Sequence, residues 1–273
     1  MTVRIGGREA ETFPAQGNVP ASLRTGGVGP TVVLLHGIGG AARYWTPQLA
    51  ALADRWRLVA WDMPGYGLSP ALDSMTFPAL ADRAKALIDD LDDGPVTVLG
   101  HSIGGMVAQE LAATCPEIVG RLILSGTSPA FGRPDGDWQA RFLSERLGPL
   151  DAGHTMPELA TSLVDGLVGN DPDPEGISLA VDCMGSVSEA VYRQSMECLV
   201  TFDRREALAG IAVPTLLVAG EKDTNAPAPM MEKMAGKIPG ARFAVIAEAG
   251  HLASLERPDA FSALVRAFLT ETD

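Results

Sequence analysis

The sequence predicts an α/β fold in which a mostly parallel central sheet is flanked by helices and interrupted once by a helical insertion. Three observations predict it. Short β-branched runs alternate with longer helical patterns. Several of the runs are almost continuously apolar, as strands covered on both faces must be. One stretch, from about 128 to about 205, carries helical patterns and Gly/Pro breaks but no convincing strand.

In chain order the predicted strands are Thr31 to Leu35, Arg57 to Trp61, Val96 to Leu99, Arg121 to Ser125, Thr215 to Ala219 and Arg242 to Ile246, with weaker candidates before residue 26. After Ser74, Phe77, Leu80, Ala84, Leu87, Ile88 and Leu91 recur at helical spacing and give one buried face. A further helix is expected over Met106 to Thr114. Near the C-terminus Pro258 opens a helix with Phe261, Leu264, Val265, Phe268 and Leu269 on one side. Asn170 to Gly176 reads as a turn-rich loop within the insertion. The division expected is a core of residues 1–127 and 206–273 and a cap of residues 128–205, lying over the carboxyl ends of the strands where open α/β sheets bind ligands.

Composition narrows the function classes. With 46% hydrophobic and 20% charged residues in 273, the chain is that of an ordinary globular protein. A net charge of −13 without a Lys/Arg cluster argues against nucleic acid and against anionic membranes as partners. No apolar run approaches the roughly 20 residues that span a bilayer. The first residues lack the apolar core of a secretory signal, so the expected location is the cytoplasm. Cys115, Cys183 and Cys198 are too scattered for a disulfide framework or a CxxC metal site and read as buried apolar fillers.

Chemistry concentrates at strand ends. Gly100-His101-Ser102-Ile103-Gly104-Gly105 follows a strand and opens a helix, the setting of a nucleophile elbow: serine in a strained turn, with glycine on either side where strand and helix close in. Its hydroxyl needs a base and an orienting acid behind that base. Of four histidines, His36 ends a strand, His101 adjoins the serine and His154 lies in the insertion; His251, on the loop after the last strand, is the best base. The acid should follow another strand end, where Gly220-Glu221-Lys222-Asp223 offers Asp223 in preference to Glu221, with loop capping as its alternative role. For the oxyanion, the flexible His36-Gly37-Ile38-Gly39-Gly40 turn and the elbow suggest the backbone amides of Ile38 and Ile103.

Together HGIGG, DMPGYGLS, GHSIGG, GEKD and AGHLASLERP, in this order, resemble the α/β-hydrolase superfamily over nearly the whole chain. The resemblance implies an α/β-hydrolase fold, a structural rather than catalytic Asp62, and neither cofactor nor metal. Around Phe202-Asp203-Arg204-Arg205 and the C-terminal third, the chain looks most like the branch of 3-oxoadipate enol-lactonases and small carboxylesterases. Ser102 in the elbow disfavours the branches with an aspartate nucleophile, and Leu252 after the histidine departs from the tryptophan usual in carbon–carbon bond hydrolases.

The expected activity is therefore hydrolysis of a small carboxylic ester or lactone through an acyl-enzyme on Ser102. The alternatives are carbon–carbon hydrolysis or perhydrolysis at the same site, and a ligand receptor that has kept the fold without turnover. Gly37, Trp138, Phe142, Arg193 and Leu252 are expected to contact substrate, with Leu143, Leu147, Leu163, Leu167, Met184 and Met196 as further apolar candidates. Arg133, Arg141 and Arg193 could hold a substrate carboxylate.

Overall fold

A computed structural model describes residues 2–27, 29–132 and 137–271. Its sheet begins with β1 (Thr2–Ile5), β2 (Arg8–Phe13) and β3 (Ser22–Thr25), which are antiparallel neighbours. These fill the place of the weaker strand candidates. Then come β4 (Thr31–Leu35), β5 (Arg57–Trp61), β6 (Val96–His101), β7 (Val119–Ser125), β8 (Thr215–Gly220) and β9 (Arg242–Ile246), each parallel to its neighbours within this group. The order across the sheet is β1-β2-β3-β5-β4-β6-β7-β8-β9.

That order fixes where a site can form. From β4 the chain steps to β5 on one side and then crosses to β6 on the other, so the carboxyl ends of β4 and β6 border a topological switch point, where open α/β sheets leave a crevice. The strands there are the apolar runs: β4, β6 and β8 are buried at every position. Each fully buried Val, Leu or Ile contributes roughly 1.5–3 kcal/mol relative to exposure. The anchorage of the site therefore lies in the central strands rather than in the largely exposed β1 and β2.

Helices α1 (Thr46–Leu52), α2 (Phe77–Leu91) and α3 (Ile103–Thr114) alternate with the strands up to β7. The Thr76 hydroxyl accepts the Ala79 N–H at the start of α2, Pro78 occupies its first turn, and Asp92 ends it in the left-handed region at φ 51°. α3 starts at Ile103, earlier than the expected Met106, because the elbow leads straight into helix. Helices α4 (Trp138–Asp151), α5 (Met156–Asp165), α6 (Pro174–Gly185) and α7 (Glu189–Leu199) follow β7 before the chain returns at β8. Pro174 opens α6 behind the Asp173 cap, so the expected 170–176 loop ends at Asp173; the pair reads as a helix start as well as a turn. Finally α8 (Ala228–Ala235), α9 (Ala253–Glu256) and α10 (Pro258–Thr270) accompany the last two strands.

The excursion leaves and rejoins the sheet at one point. Phe131 N–H donates to the Phe202 carbonyl at 2.9 Å and Arg204 N–H to the Pro129 carbonyl at 2.8 Å. The Arg204 guanidinium then grips buried Glu110 of α3 through two nitrogens, at 2.5 and 2.6 Å. Cys183 and Cys198 are buried and Cys115 half-buried, all as free thiols; burial pushes Cys183 up to about 11 and Cys198 up to about 12. No helix among the described residues is long and apolar enough to cross a membrane.

Candidate active site

Ser102 stands between β6 and α3 with φ 53° and ψ −122°, a conformation that costs an L-residue roughly 1–3 kcal/mol and persists only where its surroundings enforce it. The enforcement is visible. Ser102 N–H donates to the Ser125 carbonyl at 3.0 Å, and its own carbonyl accepts from Gly105 N–H at 2.9 Å, Met106 N–H at 3.2 Å and the Thr127 hydroxyl at 2.8 Å. A Cβ on Gly104 would collide with the carbonyls of Leu35 and His36, and one on Gly100 with the backbone of Gly104. The elbow closes only with glycine at both positions.

Asp223 and His251 arrive on the loops after β8 and β9. The Asp223 side chain is fully buried; its Oδ1 accepts the N–H groups of Asn225 at 2.8 Å and Ala226 at 2.9 Å, and its Oδ2 lies 2.8 Å from His251 Nδ1. Burial alone would raise this carboxyl, but the charge and hydrogen bond of the His251 ring and the two amides hold it below the ordinary aspartate range. The same carboxylate thus caps its loop and orients the histidine. Glu221, the other candidate, faces away: its exposed carboxylate accepts Glu248 N–H at 2.9 Å. His251 Nε2 lies 3.1 Å from Ser102 Oγ. The structure brings these three residues, expected from the sequence, into one hydrogen-bonded chain.

The predicted oxyanion donors flank the serine. Ile38 lines the cavity in front of Ser102, and Ile103 is the first residue of α3. Neither amide N–H has a hydrogen-bond acceptor among the described residues. The turn that carries Ile38 is braced by buried His36, whose Nδ1 lies 2.8 Å from the Gly37 carbonyl while Nε2 accepts Met63 N–H at 3.0 Å. Burial holds His36 below the usual histidine range, as a neutral ring. Asp62 is structural, accepting the N–H groups of Ala42 at 2.7 Å and Leu68 at 3.0 Å.

A cavity of about 310 Å³ opens in front of Ser102 and His251. Trp138, Phe142 and Leu252 line it as expected, as do Leu163, Leu167, Met184 and Met196, whereas Leu143 and Leu147 pack instead against the core. Gly37 is not among the residues that line it; a Cβ there would come within 3.0 Å of His101 Cδ2 and 3.1 Å of Ser102 Cβ. Arg193 is not brought to the cavity. It lies on the surface, paired with Asp151 at 2.7 Å and Glu189 at 2.8 Å, because a helix face places it one turn from Glu189. Arg141 does not line the cavity, and Arg133 lies outside the described residues.

Arg146, not among the expected contacts, also lines the cavity, with its guanidinium carbon 5.5 Å from the Phe142 ring centre. The available signal was its i+4 spacing from Phe142 on one helix face. The sequence shows His101 only as the neighbour of the serine. It lines the cavity, its ring stacked on Tyr44 and 4.9 Å from that of His251, and burial followed by the neighbouring His251 pushes it down to about 3. No group of three or more His, Cys, Asp or Glu among the described residues could hold a metal ion.

A family model described as the alpha/beta hydrolase family matches residues 32–264. The chain is 31% identical over 249 residues to the pimeloyl-(acyl-carrier protein) methyl ester esterase of Neisseria meningitidis, covering 87% of this chain and 76% of that protein. It is 30% identical over 274 residues to the polyketide synthase ThaQ of Burkholderia thailandensis, a match that takes in 98% of this chain but only 13% of the synthase. Among solved structures it is similar to the enol-lactonase of Burkholderia xenovorans LB400, with TM-score 0.79, 27% identity, and coverage of 99% of this chain and 100% of that one.

Proposed function

The chain belongs to the alpha/beta hydrolase family, and from that premise we propose that it is a serine hydrolase that cleaves a small carboxylic ester or lactone through an acyl-enzyme on Ser102. One observation carries the reading: Ser102 Oγ, His251 and Asp223 form a continuous chain with links of 3.1 and 2.8 Å, and Ser102 and His251 line a cavity. That order of nucleophile, base and orienting acid is what a serine hydroxyl needs to react at neutral pH.

In the reaction, Ser102 Oγ bonds to the substrate carbonyl carbon as its proton passes to His251 Nε2, and the carbonyl electron pair moves onto oxygen. The amides of Ile38 and Ile103 receive the oxyanion, at a helix N-terminus whose dipole favours negative charge. Collapse breaks the bond to the leaving oxygen, which takes the proton from His251. A water deprotonated by the same imidazole then releases the acid and restores Ser102. Asp223 stays ionised throughout and holds the ring so that Nε2 faces the serine. Residues 128–205 act as the cap, and their Leu and Met side chains accept the apolar body of the substrate. The esterase and enol-lactonase names among the similar proteins support the choice of ester or lactone over other acyl donors.

The test is time-resolved hydrolysis of p-nitrophenyl acetate and butyrate by wild type and Ser102→Ala. A burst followed by steady turnover is expected from wild type, with kcat lower by about 10⁴-fold or more in the variant. Full activity in a folded Ser102→Ala protein would overturn the assignment. A burst without turnover would point to a receptor. Activity confined to a vinylogous diketone, or to peroxide with a carboxylic acid, would move the reaction to carbon–carbon hydrolysis or perhydrolysis.

A further inference from the structure

The loop that carries His251 is fastened by a buried carboxylate that touches neither Ser102 nor the cavity. Glu256, at the end of α9, is 1% exposed. Its Oε2 accepts Gly250 N–H at 2.8 Å and Gly169 N–H at 2.7 Å, and its Oε1 accepts Leu252 N–H at 2.9 Å. Gly250 and Leu252 are the two neighbours of His251 in the chain; Gly169 belongs to the helical insertion. The N–H of His251 itself donates to the Leu167 carbonyl at 2.7 Å. Three consecutive peptide groups are therefore held, two by one carboxylate and the middle one by the insertion.

The same seam continues on both sides. Asp173 N–H donates to the Glu256 carbonyl at 3.1 Å, Asn170 N–H to the Glu248 carbonyl at 2.9 Å, and the Arg257 guanidinium to the carbonyls of Asn170 and Asp171 at 2.6 Å each. The backbones approach so closely that a Cβ on Gly169 or Gly250 would strike the other strand of the seam. Glu248 is held in the left-handed region, at φ 60°. The Glu256 carboxylate has no ion-pair partner among the described residues; its hydrogen-bond donors are three backbone N–H groups. A buried charge without a cation is an expensive way merely to close a loop, and two oxygens bonded to both neighbours of one residue fix that residue's position more tightly than apolar packing would.

We propose that Glu256 is a positioning residue for His251: by clamping Gly250 and Leu252 to Gly169 it sets the imidazole against Ser102 and couples the docking of the insertion to the alignment of the base. The proposal rests on the reading of Ser102, His251 and Asp223 as a hydrolytic triad. Glutamine at 256 keeps one acceptor oxygen and turns an NH₂ group either toward Leu252 N–H or toward the N–H groups of Gly250 and Gly169, so it should loosen the clamp with little change of volume.

The experiment compares wild type, Glu256→Gln, Asp223→Asn and the double variant, with kinetics on p-nitrophenyl butyrate, thermal unfolding and the low-field proton NMR signal of His251 Nδ1–H. Glu256→Gln should lower kcat about 100-fold, the effect of a displacement near 1 Å, with KM unchanged and the Nδ1–H signal shifted or broadened. In the Asp223→Asn background, where the ring has already lost its orienting partner, the further loss should fall below about threefold. A lower melting temperature with kcat and the Nδ1–H signal unchanged would overturn the proposal, as would a full 100-fold loss repeated in the Asp223→Asn background. If Glu256→Gln does not fold, Glu256→Asp, which withdraws the same charge by one methylene, is held to the same outcomes. The NMR arm needs no substrate: if wild type shows no Ser102-dependent hydrolysis, the hydrolase reading fails while the clamp is still tested.

Discussion

Ser102 and His251 face each other across 3.1 Å but are held in opposite ways. The serine is placed largely by its neighbours in sequence, with Ser125 and Thr127 closing the turn from the adjacent strand end. β6, the turn and α3 are contiguous, and the carbonyl of Ser102 is capped by Gly105 and Met106 within the same turn. The histidine is placed by residues far along the chain: Leu167 and Gly169 from the insertion, and Asp223 from the loop after β8. The difference teaches that the two members of a proposed catalytic pair can be held unequally, one mainly by local geometry and the other mainly by contacts from distant parts of the chain. The two sides should therefore fail differently when perturbed.

The sharpest break on the histidine side is Asp223→Asn. An amide at Oδ2 cannot accept the Nδ1 proton and hold the ring in its productive tautomer, so kcat should fall by about 10³–10⁴-fold with little change in KM. Steady-state kinetics on p-nitrophenyl butyrate check this; a loss of less than tenfold would mean that Asp223 only caps its loop. On the serine side the equivalent break is a loss of stability. Gly104→Ala drives a methyl group into the carbonyls of Leu35 and His36, and neither backbone can retreat from a central sheet position. Urea unfolding should show destabilisation on the order of 4 kcal/mol. A near-neutral result would mean that the elbow is looser than its packing indicates.

This asymmetry also explains what could be read from the sequence. Ser102 was legible because strand, turn, glycines and helix fall within one short run, and Asp223 and His251 because each follows an apolar strand. β4, β6 and β8 were legible for a related reason: burial on both faces leaves continuous apolar runs. Arg146 and Glu256 were not legible as site residues. One faces the cavity and the other closes the seam only after helices of the insertion have docked, and a helix face alone does not say what it meets. Arg193 shows the reverse, since its spacing from Glu189 predicted the surface pair that keeps it from the cavity.

His101 sits between the two sides, beside Ser102 in sequence and against His251 in space. Burial, then the neighbouring His251, pushes it down from 6.5 to about 3. In the unfolded chain it takes up a proton near 6.5, so between that pH and about 3 the unfolded state binds more protons than the folded one. Its contribution to stability is complete above the upper limit and falls with acidification, by up to about 1.4 kcal/mol per pH unit. His36, also lowered by burial, adds to the same slope. Replacing His101 with asparagine should flatten the dependence of urea-unfolding free energy on pH between 6 and 4 by up to about that amount per unit. An unchanged slope would mean that the ring is reached by water and takes up its proton in the folded state.

The smallest expected effect concerns Arg146 in the cavity wall. Arg146 lines the cavity above the Phe142 ring with no ion-pair partner among the described residues, while Arg193 on α7 has two. A guanidinium stacked on an aromatic face keeps its donors free for a carboxylate, and the partly screened position limits the gain. Arg146→Met should reduce kcat/KM for esters bearing a carboxylate by about tenfold relative to neutral esters of the same length, a difference of about 1.4 kcal/mol. Arg193→Met should leave that ratio where it was. If both variants leave it unchanged, charge on the substrate is read elsewhere or not at all, and the insertion contributes shape and the seam to His251 without electrostatic selection.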